Sequence, residues 1–338
     1  MKKNIFNFFI VGISLIILLV LILKTQGLYA FFRQLSMLSF PWVLLSLAFM
    51  LLYWSFESLS LHLITLFHGV RKRFRESFSI TMVGQFFNSI TPFATGGQPA
   101  QVIYLMKNGV ETGNASSIIM IKFISFQTIL TIYSFLVIMF TFQNFKARIP
   151  LLLTMTLLGL AVHASMILLT VLFSYNRVLT EKIIKVIFRI LKKLRLVKGG
   201  EAAEKKLEDS LKKFHDNAAV LKNNPVLMIK TVILTFIQLT FFFSIPYCIC
   251  RSFGFTSTSF LDLFSASVFV ATIISVVPLP GATGGAEGSF YLFFGFFFSG
   301  NSIISAILIW RIITYYSCIG FGGLFTVILP KTVKRVIP

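Results

Sequence analysis

Four charged residues lie inside long apolar runs of this 338-residue chain: Glu57, Lys122, Glu287 and Arg311. A charge within hydrocarbon is costly and is retained where it pairs or serves a function. Two cations and two anions balance, so Arg311 is expected to pair with Glu287 and Lys122 with Glu57. A guanidinium grips phosphate bidentately, which favours a functional role for Arg311. Glu57 stands evenly between structural pairing and function. By position in their runs, Arg311 lies about 15 Å deep and Lys122 about 12 Å, at 1.5 Å per helical residue.

Two short segments accompany these charges. Pro92-Phe93-Ala94-Thr95-Gly96-Gly97 and Pro280-Gly281-Ala282-Thr283-Gly284-Gly285 agree at five of six positions and lie 188 residues apart. Each glycine pair precedes an apolar arm. A helix N-terminus offers N–H groups and about half a positive charge, which suits a phosphate. Glycine lets a ligand approach the backbone, and Pro99 fits an early helical position. Small residues would also pack such tips without any ligand. Gln85, Asn88, Gln98 and Gln101 supply uncharged polar groups, for a head-group path or for interhelical hydrogen bonds. The candidate lipid-binding set is therefore Glu57, Pro92, Thr95, Gly96, Gly97, Gln98, Gln101, Lys122, Pro280, Thr283, Gly284, Gly285, Glu287 and Arg311.

The elements that must position this set are read from composition. Hydrophobic residues make up 56% and charged residues 12%, with forty Phe. Mean hydropathy is +0.87. A soluble domain carries about a quarter charged residues, so a soluble globular protein is excluded. The net charge of +20 points to cytoplasmic loops and anionic lipid head groups, and nothing in its pattern favours nucleic acid.

A membrane-spanning helix takes about 20 apolar residues. Six runs qualify, at 5–23, 41–67, 114–143, 149–174, 226–250 and 301–328. The first follows Met1-Lys2-Lys3 but is too long for a signal peptide and lacks a small-x-small cleavage site. Basic residues near the span ends (Lys2, Lys3, Arg71 to Arg75, thirteen in 176–222, Lys331 to Arg335) put both termini inside. The stretches 74–106 and 260–299 must then enter and leave on one side each, the first inside and the second outside. Both are expected to be re-entrant helical hairpins with arms of about 15–17 residues, enough to reach the bilayer centre, tolerated at depth where protein or a water-filled cavity satisfies the backbone.

The units 41–143 and 226–328 each read span, hairpin, span. Their opposite entry sides make an inverted-topology repeat, the arrangement in which secondary transporters hold substrate near the midplane. A duplication kept for folding alone is the plainer alternative. The fold class is an all-α polytopic membrane protein with about six full spans and two re-entrant hairpins. It forms a single integral membrane domain, 1–338. Residues 1–40 give the first span and an outer loop. Residues 149–174 form a linking span, and 176–222 form basic cytoplasmic helices. In that block Ile183, Ile184, Ile187, Ile190, Leu191 and Leu194 make an apolar stripe among lysines and arginines, suited to an anionic inner leaflet. A solvated loop that enforces topology is the simpler reading.

No Walker loop, Cys/His metal set or Ser-His-Asp candidate is present, so no catalytic residue, metal or cofactor is expected. Few residues follow the last run, and no attached soluble catalytic domain is expected. Cys248, Cys250 and Cys318 sit in apolar runs as packing residues. His62 and His163 lack partners at ligand spacing and read as packing too.

Thr91 to Pro99 followed by Gln101-Val102-Ile103-Tyr104-Leu105 resembles the first motif of the lysylphosphatidylglycerol synthase membrane-domain family, the flippase half of MprF proteins and their free-standing relatives. Pro278 to Glu287 resembles its second motif, and Trp310-Arg311-Ile312-Ile313-Thr314-Tyr315-Tyr316 with Gly320 its last helix. Gln101 stands where many relatives carry an arginine. The resemblance covers essentially the whole chain. It implies a flippase-like transporter that moves anionic or lysylated phosphatidylglycerol-type lipids between leaflets of the bacterial cell membrane. Head groups would cross along the seam between the hairpins, with Arg311 and Lys122 holding the phosphate at alternate stages. The family name also implies a phosphatidylglycerol lysyltransferase, or the partner of a separately encoded lipid synthase; only the transferase would engage tRNA. A non-transporting envelope scaffold is the third alternative. The sequence leaves homodimerisation open.

Overall fold

The computed structural model describes residues 27–70, 73–146, 149, 152–193, 209, 224–298 and 302–328. Its elements are helical throughout these residues. They are α1 (Gly27–Ser36), α2 (Phe40–Phe67), α3 (Phe74–Ile90), α4 (Gly97–Lys107), α5 (Thr112–Lys146), α6 (Leu152–Tyr175), α7 (Arg177–Lys193), α8 (Pro225–Ser252), α9 (Phe260–Ile274), α10 (Gly285–Phe294) and α11 (Ser302–Ile328). Five of them, α2, α5, α6, α8 and α11, are long and apolar enough to cross a membrane. They correspond to five of the six expected spans. The sixth, 5–23, lies outside the described residues, as do the second basic cytoplasmic helix and both termini.

Helix ends follow local chemistry. Pro41 and Pro225 occupy first turns, where a missing N–H costs little. Asn224 caps α8 by accepting from the Leu227 N–H at 3.1 Å. Gly69 and Gly254, after α2 and α8, take left-handed φ of 74° and 83° and end those helices. Asn176 breaks α6 from α7 and accepts from the Leu179 N–H at 3.0 Å. The segment expected as an outer loop contains α1, an amphipathic turn that buries Phe31 and leaves Tyr29 and Phe32 exposed. Ser305 of α11 donates to Gln34 of α1 at 2.7 Å and ties it down.

α2 and α8 lie antiparallel. The Ser39 N–H meets the Ser252 carbonyl at 2.9 Å, Trp42 packs on Tyr247, and Tyr53 on Phe242. α3 runs antiparallel to the second half of α11: Phe78 touches Phe325, Gln85 meets Cys318, and Ser89 meets Tyr315. α9 runs antiparallel to α5 in the same manner, with Thr272 on Ser134 and Asp262 on Asn144. The first arm of each broken stretch thus rests on the last helix of the other unit. Phenylalanine fills the larger core. Phe145 packs on Phe269 and Phe293, and Phe290 stacks between Phe294 and Trp310. Offset and edge contacts of this kind add to the area they bury.

The stretches 74–106 and 260–299 each form two helices joined by a tight turn. The arms are unequal: 17 and 11 residues in the first, 15 and 10 in the second. The expected second arms of 15–17 residues are therefore corrected. α4 stops at Lys107 because Gly109 takes φ 86°, and α10 gives way to a turn at Gly295. At 1.5 Å per residue the short arms measure about 15–17 Å.

Candidate functional site

Each turn is set by the residue before a proline. Thr91 and Leu279 are extended, at φ −117° and ψ 146° and at φ −114° and ψ 148°, as a following proline demands. Phe93 and Gly281 are left-handed with nearly the same angles, and so are Ala94 and Ala282, at φ 52° and 49°. The two turns then diverge. Gly96 has φ −80°, while Gly284 has φ 83°. The turns lie against each other. Pro92 to Thr95 are exposed at this contact, while Pro280 and Thr283 are buried.

Both expected ion pairs are present. Arg311 Nε donates to Glu287 Oε1 at 2.8 Å, and Lys122 Nζ to Glu57 Oε1 at 2.6 Å. Arg311 is the tenth residue of α11 and 3% exposed. Its Nη1 donates to the Gly281 carbonyl at 3.0 Å, and its guanidinium lies over the rings of Tyr315 and Trp310. Among the described residues Nη2 has no hydrogen-bond partner. A buried donor without a partner costs about 1–3 kcal/mol and calls for an explanation.

Lys122 is held differently. Its ammonium also donates to Gln101 Oε1 at 3.0 Å. The Gln85 amide donates to the other Glu57 oxygen, and its carbonyl oxygen faces Cys318. Gln85 also reaches the Tyr53 hydroxyl at 3.4 Å. This network ties together α2, α3, α4, α5 and α11. Gly84 makes room for it, because a Cβ there would overlap the Gln101 amide. Gln98 is half-buried in the first turns of α4.

The glycine tips differ from expectation in one respect. The N–H groups of Gly96, Gly97 and Gly284 are already engaged. The Gly96 N–H donates to Thr91 Oγ1 and the Gly97 N–H to Asn88 Oδ1, each at 2.9 Å. The Gly284 N–H donates to Glu287 Oε2 at 2.7 Å. Side chains cap these helix starts, as capping residues do, so these three donors do not face a ligand. Arg311 brings a positive charge to the second tip through its contacts with Glu287 and the Gly281 carbonyl. Glu287 meets both a backbone N–H and Arg311, which fixes it as the joint between tip and span.

His62 is a half-buried and His163 a buried packing group. His62 meets Ser77, and His163 meets Gln127, each at 3.2 Å. Cys248, Cys250 and Cys318 are free and buried. Among the described residues no group of three or more His, Cys, Asp or Glu could hold a metal ion.

Tyr315 and Ser89 were not marked by charge or spacing, yet they meet at this site, 3.2 Å apart. The available signal was the four-residue interval from Arg311 to Tyr315, which puts both on one helix face. A five-residue π-helical turn, Ile312–Tyr316, widens the helix there; such turns recur at functional sites.

The sequence profile described as "Lysylphosphatidylglycerol synthase TM region" matches residues 7–322. The chain is 28% identical over 307 residues to a "UPF0104 membrane protein" of Archaeoglobus fulgidus, covering 87% of this chain and 90% of that one. With five helices among the described residues long and apolar enough to cross a membrane, and a match over nearly its whole length, this multi-pass membrane protein belongs to the lysylphosphatidylglycerol synthase transmembrane-region family.

Proposed function

We propose that this protein is a lipid translocator, moving phospholipids with anionic or lysylated phosphatidylglycerol-type head groups between leaflets. The units 41–143 and 226–328 act as an inverted-topology repeat. The broken stretches enter as re-entrant hairpins from opposite faces, the first from the cytoplasmic side. The head group passes along the seam where the tips meet, and the acyl chains stay in the bilayer. The antiparallel α2–α8 pair supports the inversion, and so do the reciprocal packings of α3 on α11 and α9 on α5.

The observation that carries this reading is the Arg311 guanidinium. It is buried beside the tip contact, paired on one edge and without a hydrogen-bond partner at Nη2. A phosphate oxygen would satisfy that donor and keep the Glu287 contact in place. Lys122, already held by Glu57 and Gln101, serves as a second station further along.

The test is leaflet exchange. Purified protein in liposomes is given fluorescent phosphatidylglycerol, and the outer-leaflet label is quenched chemically. Exchange well above that of protein-free liposomes is expected; equal rates would overturn the reading. The family description also carries a synthase, which favours a second role as partner of a lipid synthase. Lipid extracts from cells with and without the gene separate the two. Loss of lysyl-phosphatidylglycerol itself favours the synthase role. Loss of its outer-leaflet fraction alone favours translocation.

A further inference from the structure

Tyr315 touches both broken stretches. Its hydroxyl donates to the backbone carbonyl of Ser89, in the last turn of α3, at 3.2 Å. Its ring lies 4.8 Å from the Arg311 guanidinium carbon. The same ring fills the space that any side chain at Gly281 would need. The neighbouring hydroxyls of Thr314 and Ser317 bond back to carbonyls of their own helix. The Tyr315 hydroxyl instead crosses to the other unit.

Building on the translocation reading above, we propose that Tyr315 gates the seam. In this conformation the ring covers Arg311, and its hydroxyl fastens α11 to the end of α3. A head group reaches Nη2 when the ring swings aside, which breaks the Tyr315–Ser89 bond and uncovers the guanidinium. The latch consists of neutral hydrogen bonds, to the Ser89 carbonyl and with the Thr283 side chain, and the net loss of one shifts the closed–open balance about fivefold. Tyr315 is a positioning residue here: it controls access to Arg311 and contributes no charge.

Two measurements test this. In the leaflet-exchange assay, Tyr315→Phe keeps the ring and loses the latch, and is expected to speed exchange about three- to fivefold. Tyr315→Ala removes the cover as well, and is expected to speed it further and to weaken discrimination between phosphatidylglycerol and phosphatidylcholine. The second measurement needs no transport. Ser89→Cys introduces a thiol at a position 8% exposed. An aqueous maleimide should label it several times faster in the Tyr315→Phe background, while the buried native cysteines stay unlabelled. An active wild type, with Tyr315→Phe leaving both exchange and labelling unchanged, overturns the gate. No wild-type exchange with labelling that still responds overturns the lipid reading and keeps the gate. If Tyr315→Ala fails to fold, Tyr315→Phe decides alone.

Discussion

Phe93 and Gly281 adopt one backbone conformation, φ 53° with ψ 18° and φ 58° with ψ 19°, although only the second is a glycine. A left-handed residue with a Cβ is strained by about 1–2 kcal/mol. Phe93 bears that strain while 53% exposed. Gly281 stays bare for a second reason, because the Tyr315 ring occupies the place of its side chain.

The two sites should therefore respond unequally to substitution. Phe93→Gly relieves strain but adds freedom to the unfolded chain, so stability should change by less than about 1 kcal/mol. Gly281→Ala adds both strain and overlap and should cost about 2–5 kcal/mol. Thermal unfolding in detergent, read by a thiol-reactive dye at the buried native cysteines, measures both. A Gly281→Ala protein as stable as wild type would show that the tip and Tyr315 are not in contact.

The charges and the punctuation were legible in sequence because a membrane amplifies both. Lys122, Arg311, Glu57 and Glu287 stand out only against apolar runs, and their pairing followed from charge balance. Pro92 and Pro280 forced the breaks, since the residue before a proline leaves the helical region. Donor direction was not legible. Nothing in the string Thr-Gly-Gly says that Thr91 and Asn88 cap the first tip, while Glu287 caps the second. The role of Tyr315 was hidden too, because a tyrosine in an apolar helix is ordinary until a carbonyl from 226 residues away meets it. The short second arms escaped because the turns themselves take up 91–96 and 275–284, and because the apolar run of the second stretch continues past Gly295 through Phe298.

Gly84 should prove intolerant of substitution for a reason unrelated to its backbone. A Cβ there displaces the Gln101 amide, which then loses its hydrogen bond to Lys122. A bond to a charged group is worth about 1.5–3 kcal/mol, and Gly84→Ala should cost about that. Adding Gln101→Ala to Gly84→Ala should cost little more, since the contact is already broken. Full additivity of the two substitutions in the same unfolding assay would place the fault elsewhere.

The Lys122–Glu57 pair should behave as a structural unit. Lys122→Met leaves the Glu57 carboxylate buried without its cation, still accepting from the Gln85 amide, and should cost about 3–5 kcal/mol. Glu57→Gln added to it removes the stranded charge, and more than half of that loss should return. A double variant no more stable than Lys122→Met would contradict this account of the pair.

Arg311 and Glu287 allow the structural and functional parts to be separated. Arg311→Met alone strands Glu287, whose remaining partners include the Gly284 N–H, and should cost about 3–5 kcal/mol. Arg311→Met with Glu287→Gln removes both charges. Glutamine can still accept from the Gly284 N–H, so stability should return to within about 1–2 kcal/mol of wild type. Lipid exchange should not return, because no cation is left beside the tips to hold a phosphate. A double variant that folds well and still exchanges labelled phosphatidylglycerol at the wild-type rate would reduce Arg311 to half of an ion pair. One that folds well and is inactive isolates the guanidinium as the group that the head group needs.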